Sequence, residues 1–171
     1  MTHVLVVYAS RMGSTAEIAS AVGDQLTRRG YQVDVHSTAA ALDARLYDAV
    51  IVGSPLYLRR WHRGALDYLE AQAPDLAERP TWLFQSGPCG PGAQTEPVPT
   101  PHAVARLCTD IGIEQPVTFG GNLDKSRAKT WLARHLASGD LAGDSRDWDE
   151  IRAWADGVAD QLESSRTLTA V

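Results

Sequence analysis

The chain has 171 residues, 44% hydrophobic and 22% charged, which suits one globular domain with a full core. Sixteen basic residues against 21 acidic ones give a net charge of −5, which argues against a general nucleic-acid binder. No apolar run is long enough to span a bilayer and no charged-then-apolar leader precedes the first strand, so the expected location is the cytoplasm.

The elements alternate from the start. Residues 3–9 are a near-continuous apolar run, read as a buried strand. Ser10-Arg11-Met12-Gly13-Ser14-Thr15 follows at once and opens an amphipathic helix. Ser14 and Glu17 have capping-box spacing, and Ile18, Val22 and Leu26 share one face. Further strands are expected at 31–36, 49–53, 81–85 and 117–119. A helix is expected over about 64–71, and another starts at Thr100-Pro101 and ends at Gly112, with Val104, Leu107, Cys108 and Ile111 as its buried stripe. Cys108 therefore reads as core. Asp147 and Glu150 cap the last helix, whose stripe is Ile151, Trp154, Ala155, Val158 and Leu162. Residues 1–164 form one domain, and the small polar residues of 165–171 read as a frayed tail.

Residues 121–146 are too long for a plain strand-to-helix connection. Within 125–137, Ala128, Trp131, Leu132, His135 and Leu136 share a helical face, with Lys125, Arg127, Lys129 and Arg134 around it. Such a basic amphipathic helix covers the sheet edge, forms a homodimer contact, or lies weakly on the inner face of the membrane.

The pattern predicts an α/β, doubly wound, five-stranded parallel sheet with helices on both faces. Ligands of such sheets bind beyond the carboxyl ends of the strands. Three loops meet there. In the first, Ser10, Ser14 and Thr15 offer hydroxyls, Met12, Gly13, Ser14 and Thr15 offer amides, and Arg11 offers charge, all at a helix N-terminus. That set suits a terminal monophosphate. It lacks the lysine of a nucleotide-hydrolysing loop and the glycine spacing of a dinucleotide site. In the second, Ser54, Pro55, Leu56, Tyr57 and Trp61 offer walls for a flat ring, although Trp61 equally suits the core. Arg59, Arg60, His62 and Arg63 form a basic rim, suited to an anionic substrate or to solvent. In the third, Ser86, Gly87, Pro88 and Cys89 allow close backbone approach to a ring. Together they point to FMN. A deazaflavin would fit the same cleft. No metal-ligand set and no nucleophile–base pair is visible, and the acidic cluster and phosphoacceptor aspartate of a receiver domain are missing.

These loops make the chain resemble the flavodoxin-like superfamily over nearly its whole length, which implies strand order 2-1-3-4-5 and FMN. More narrowly, Ser10 to Thr15, Val52-Gly53-Ser54-Pro55-Leu56-Tyr57 with His62, Phe119-Gly120-Gly121-Asn122-Leu123 and Asp147-Trp148 resemble the menaquinone-dependent protoporphyrinogen dehydrogenases. Flavodoxin-domain proteins of unsettled activity are equally similar. The resemblance implies electron transfer between a reduced small molecule, such as a porphyrinogen, and a quinone. The alternative is a flavodoxin-type carrier of single electrons. Flavodoxins serve that role with a glycine after the third strand whose peptide flips toward the flavin. Residues 54–63 contain no glycine, which favours two-electron chemistry.

Overall fold

A computed structural model describes residues 1–40, 42–87, 98–123 and 143–169. In chain order the elements are β1 (His3–Tyr8), α1 (Ser14–Arg28), β2 (Gln32–Ser37), two single 3-10 turns (Thr38–Ala40 and Ala44–Leu46), β3 (Ala49–Tyr57), β4 (Arg60–Trp61), α2 (Arg63–Ala77) and β5 (Thr81–Ser86). They continue with α3 (His102–Ile111), β6 (Val117–Phe119), β7 (Asn122–Leu123), β8 (Gly143–Asp144) and α4 (Trp148–Thr169).

The main sheet has the order β2-β1-β3-β5-β6, all parallel, with β4 pairing antiparallel onto β3. The five parallel strands are the five expected ones in the expected order. Side-chain alternation sorts the sheet into two cores. Val4, Val6 and Ile51 point toward α1 and α4, where they meet Ile18, Val22, Ile151 and Val158. Leu5, Val7, Val50 and Val52 point toward α2 and α3, where they meet Leu69, Leu76, Val104 and Cys108. Cys108 is core as expected, and its burial raises the thiol pKa.

Several boundaries differ from the sequence reading. The third strand runs on to Tyr57 and turns back as a hairpin, so 54–61 is not an open loop. Helix α2 continues past Ala71 to Ala77 with Pro74 inside it. Packing of Leu76, which is fully buried, outweighs the missing amide of the proline. Pro101 is the N-cap of α3 rather than its first helical residue. The α4 helix runs through Thr169, so 165–169 are helical. Ser165 and Thr167 return their hydroxyls to the carbonyls of Gln161 and Glu163. The amphipathic stretch at 125–137 lies outside the described residues. The insertion that holds it leaves and rejoins the domain as the β7–β8 ribbon.

The sheet is closely packed where the site begins. A Cβ on Gly53 would sit 2.2 Å from Cζ of Phe84 and within 2.7 Å of two further ring atoms. Phe84 is fully buried against Phe119 and Trp154 and cannot swing away. Gly53→Ala should destabilise the fold by about 1–3 kcal/mol, an overpacking cost, measured by urea denaturation. An unchanged midpoint would show that the ring has room to move.

Candidate functional site

The carboxyl ends of β1, β3 and β5 bring the first and third loops together. Tyr8 pairs with Gly53, and Pro55 with Ser86, so these ends lie at one edge of the sheet. The chain leaves β1 through Ala9, whose amide donates to the Gly53 carbonyl at 2.9 Å. It then reaches Gly13, the N-cap of α1, at φ 91°. That left-handed conformation costs a side-chain-bearing residue roughly 1–2 kcal/mol, so glycine is dictated by the turn. The Gly13 amide donates to Ser10 Oγ at 3.0 Å and sets the loop's curvature.

The expected capping box does not form. No side chain caps α1. Ser14 Oγ instead accepts the Asn122 amide at 3.1 Å, and Glu17 pairs with Arg146. The first bond inside the helix runs from the Glu17 amide to the Gly13 carbonyl. The amides of Ser14, Thr15 and Ala16 precede it and have no carbonyl one turn back. An uncapped helix start, with its partial positive charge, fits a phosphate. Behind it, Thr15 Oγ1 and Ser86 Oγ lie 2.7 Å apart and are nearly fully buried. Each hydroxyl carries one hydrogen, so the pair uses one and keeps a second for an anion.

The second loop is a hairpin that presents Tyr57. The side chain of Arg11 lies over the Tyr57 ring, its guanidinium carbon 5.7 Å from the centroid, and joins the two loops. Trp61 is placed otherwise. It is 4% exposed, packs in the core beside α2, and donates its indole N–H to Gln85 Oε1 at 2.9 Å. Gln85 in turn donates to Thr118. The core reading of Trp61 is the correct one, and the ring presents no free face to a ligand. Ser54 is also structural. It is fully buried, accepts the His62 amide at 3.0 Å and donates to the Pro55 carbonyl. Leu56 packs toward the same core and pairs with Trp61. His62 caps α2, its Nδ1 accepting the Gly64 amide. Met12 and Pro55 are half-buried.

In the third loop, Gly87 is buried at φ 121° and its amide is spent on the Phe119 carbonyl, so it does not offer that N–H to a ring. Pro88 and Cys89 lie outside the described residues.

Sequence reasoning missed one component. The Arg146 side chain is 5% exposed and reaches Glu17 on α1 and Asp144 on β8, with its guanidinium 4.5 Å over Trp148. Its hydrogen bonds hold the Asp144 carboxyl below the usual carboxylate range. Together with the Asn122–Ser14 bond, it fixes both feet of the insertion to the first turn of α1. The run Asp144-Ser145-Arg146-Asp147 looks like a solvated charge cluster, and nothing in it signals that one member is buried. Among the described residues, no group of three His, Cys, Asp or Glu side chains is placed to hold a metal. No helix among them is long and apolar enough to cross a membrane.

The strand order and the helices on both faces define a doubly wound α/β protein, with an uncapped helix start at the carboxyl edge of its sheet. The Flavodoxin domain family model matches residues 5–136, and the chain belongs to that family. It is similar in structure to flavodoxin 1 from Bacillus cereus, with 13% identity, TM-score 0.62, and coverage of 93% of this chain and 98% of that one. Flavodoxin from Streptococcus pneumoniae TIGR4 is similar at 22% identity and TM-score 0.59, covering 93% and 99%. Rubredoxin oxygen:oxidoreductase from Desulfovibrio gigas is similar at 16% identity and TM-score 0.62, covering 96% of this chain but 37% of that larger one. At these identities the structural likeness is one of fold. No protein of curated function matches in sequence. Family membership carries FMN as the cofactor and electron transfer as the work. The uncapped helix start and the buried hydroxyls at the loop of Ser10 to Thr15 suit its phosphate.

Proposed function

We propose that the protein is an FMN-dependent oxidoreductase that passes electrons between a reduced small molecule and a quinone-type acceptor, as in the protoporphyrinogen dehydrogenase branch. Bound at the loop of Ser10 to Thr15, the flavin supplies reversible acceptance and release of electrons. The chain supplies the phosphate seat, the wall at Tyr57 and the rigidity of the hairpin beside it.

That rigidity is the observation that carries the reading. Leu58 and Arg59 occupy positive φ (48° and 60°) without glycine, so the turn already holds the backbone a flip would have to reach or leave. Pairs Leu56–Trp61 and Tyr57–Arg60, the Ser54–His62 bond and the Trp61–Gln85 bond all lock it. Reorienting a peptide here breaks ladder bonds at about 1 kcal/mol each. A fixed turn gives a single-electron state no redox-dependent hydrogen bond, and paired-electron chemistry is favoured. The second reading is a carrier. It is supported by full-length likeness to stand-alone flavodoxins, with 98% of the Bacillus cereus chain covered.

Anaerobic reductive titration of the FMN-loaded protein tests the two. A single two-electron transition, followed by rapid reoxidation with a soluble menaquinone, is expected. Two separate one-electron transitions would assign the protein to the carriers.

A further inference from the structure

The hairpin beside the flavin edge has features that its role as a wall does not require. Its tip is Leu58-Arg59, and both residues sit in the left-handed region. A two-residue turn of this kind is most cheaply built from Asn-Gly or Asp-Gly. Leucine and arginine there cost roughly 1–2 kcal/mol each in backbone strain. The strain is held rigidly, because β4 is anchored by the buried Trp61 and by the Ser54–His62 bond. Strained, over-determined backbone at the rim of a site marks a surface kept for contact.

What the tip presents is specific. Leu58 is 73% exposed, one of three large apolar side chains so exposed among the described residues. Arg59 and Arg60 flank it in the open, and Arg63 follows at the start of α2 with its side chain 86% exposed. Arg11 joins them from the phosphate loop across the face of Tyr57. Among the described residues, Arg63 pairs with Asp67 in an exposed contact worth a fraction of a kcal/mol, and Arg59 and Arg60 pair with no carboxylate. Four arginines on one rim oppose the net charge of −5. Of the described acidic side chains near this edge, Glu17 and Asp144 are paired with Arg146, and Asp149 and Glu150 lie in the first turn of α4, which packs on the opposite face.

We propose that the hairpin tip is the docking surface for an acidic redox protein, with Leu58 as its apolar anchor and Arg59, Arg60 and Arg63 as its cationic rim. The proposal rests on FMN occupying the adjacent seat, and it adds a protein electron partner at that same site to the small molecules proposed above. Charge complementarity selects an acidic surface and steers its approach. An exposed leucine ringed by arginines is the composition of a protein contact, where arginine is enriched and an apolar centre excludes water. One leucine is too little to hold a chain of net negative charge on an anionic bilayer.

The test uses the full FMN-loaded chain, with FMN binding first checked by quenching of flavin fluorescence. The reduced protein is mixed with ferricyanide and, separately, with hexaamminecobalt(III). Each flavin gives its two electrons to two oxidant ions and its protons to solvent. The ferricyanide rate should fall, and the cobalt rate rise, as salt goes from about 20 to 300 mM. Binding to an acidic [2Fe–2S] ferredoxin, used as a probe, should weaken roughly tenfold over that range. It should vanish in the double variant Arg59→Glu, Arg60→Glu. Leu58→Ser should weaken ferredoxin binding about three- to tenfold and leave the sign of the ferricyanide salt dependence as in the parent, because a small ion needs no apolar anchor. The opposite salt signs overturn the proposal. So does a Leu58→Ser variant that binds ferredoxin as tightly as the parent, or arginine-dependent binding to phosphatidylglycerol vesicles with no ferredoxin binding. If the parent protein binds no FMN, the cofactor reading fails instead, and the ferredoxin arm still decides the docking claim.

Discussion

Gly13→Val is expected to lower FMN affinity roughly 100-fold, because each tenfold loss corresponds to about 1.4 kcal/mol. The left-handed N-cap at φ 91° is one a β-branched residue strongly resists. Relieving that strain rotates the amides of Ser14 and Thr15 away from the anion and releases the Gly13 amide from Ser10 Oγ. Thr15→Ala is expected to cost about tenfold. It removes one of two buried hydroxyls and leaves Ser86 Oγ without its partner. Titration of the apoprotein with FMN, followed by fluorescence, measures both. Unaltered affinity in the two variants would move the phosphate elsewhere.

Arg146→Met is the second large effect. Removing a guanidinium whose side chain is 5% exposed takes the cationic partner from the Glu17 and Asp144 carboxylates, whose side chains are 39% and 45% exposed. Breaking a fully buried pair costs about 3–5 kcal/mol. Partial exposure of both partners here reduces that to roughly 2–3 kcal/mol, or about 5–10 °C in Tm. Arg146→Lys should recover only part of it, since an ammonium cannot serve two carboxylates through a planar fork. The pH dependence follows from the depressed Asp144 pKa. Asp144 contributes its full stability above its unfolded value, near pH 4, and loses it as pH falls through the lower folded value. The parent protein should therefore lose Tm as pH drops below about 4, and Arg146→Met should show a shallower acid slope. Parallel acid slopes would mean the arginine does not govern that carboxyl.

The sheet was legible because apolar runs at 3–9, 49–53 and 81–85 are strands buried on both faces, and each is followed by a helix with period-3.6 patterning. The turn from β1 into α1 was legible for a related reason. Hydroxyls, glycine and a helix start fall within six consecutive residues. The hairpin was not legible, since Leu58-Arg59 carries none of the usual two-residue turn signals and its geometry is imposed by the packing of Trp61. The roles of Ser14 and Glu17 were misjudged for want of their long-range partners. Their spacing satisfies a local cap, but Asn122 and Arg146, more than 100 residues away, compete for the same atoms. Local propensity yields where tertiary contacts offer a stronger bond.

The β7–β8 ribbon has an engineering consequence. Its two strands meet through the pairs Asn122–Asp144 and Leu123–Gly143, so the ends of the segment between them are already neighbours. The entropy of closing a loop grows only slowly with length once its ends are fixed, by about 0.6 kcal/mol per doubling. The stretch between these feet is thus a natural graft point. A peptide of different length exchanged in at that place should cost the fold little, because its two ends are already held together.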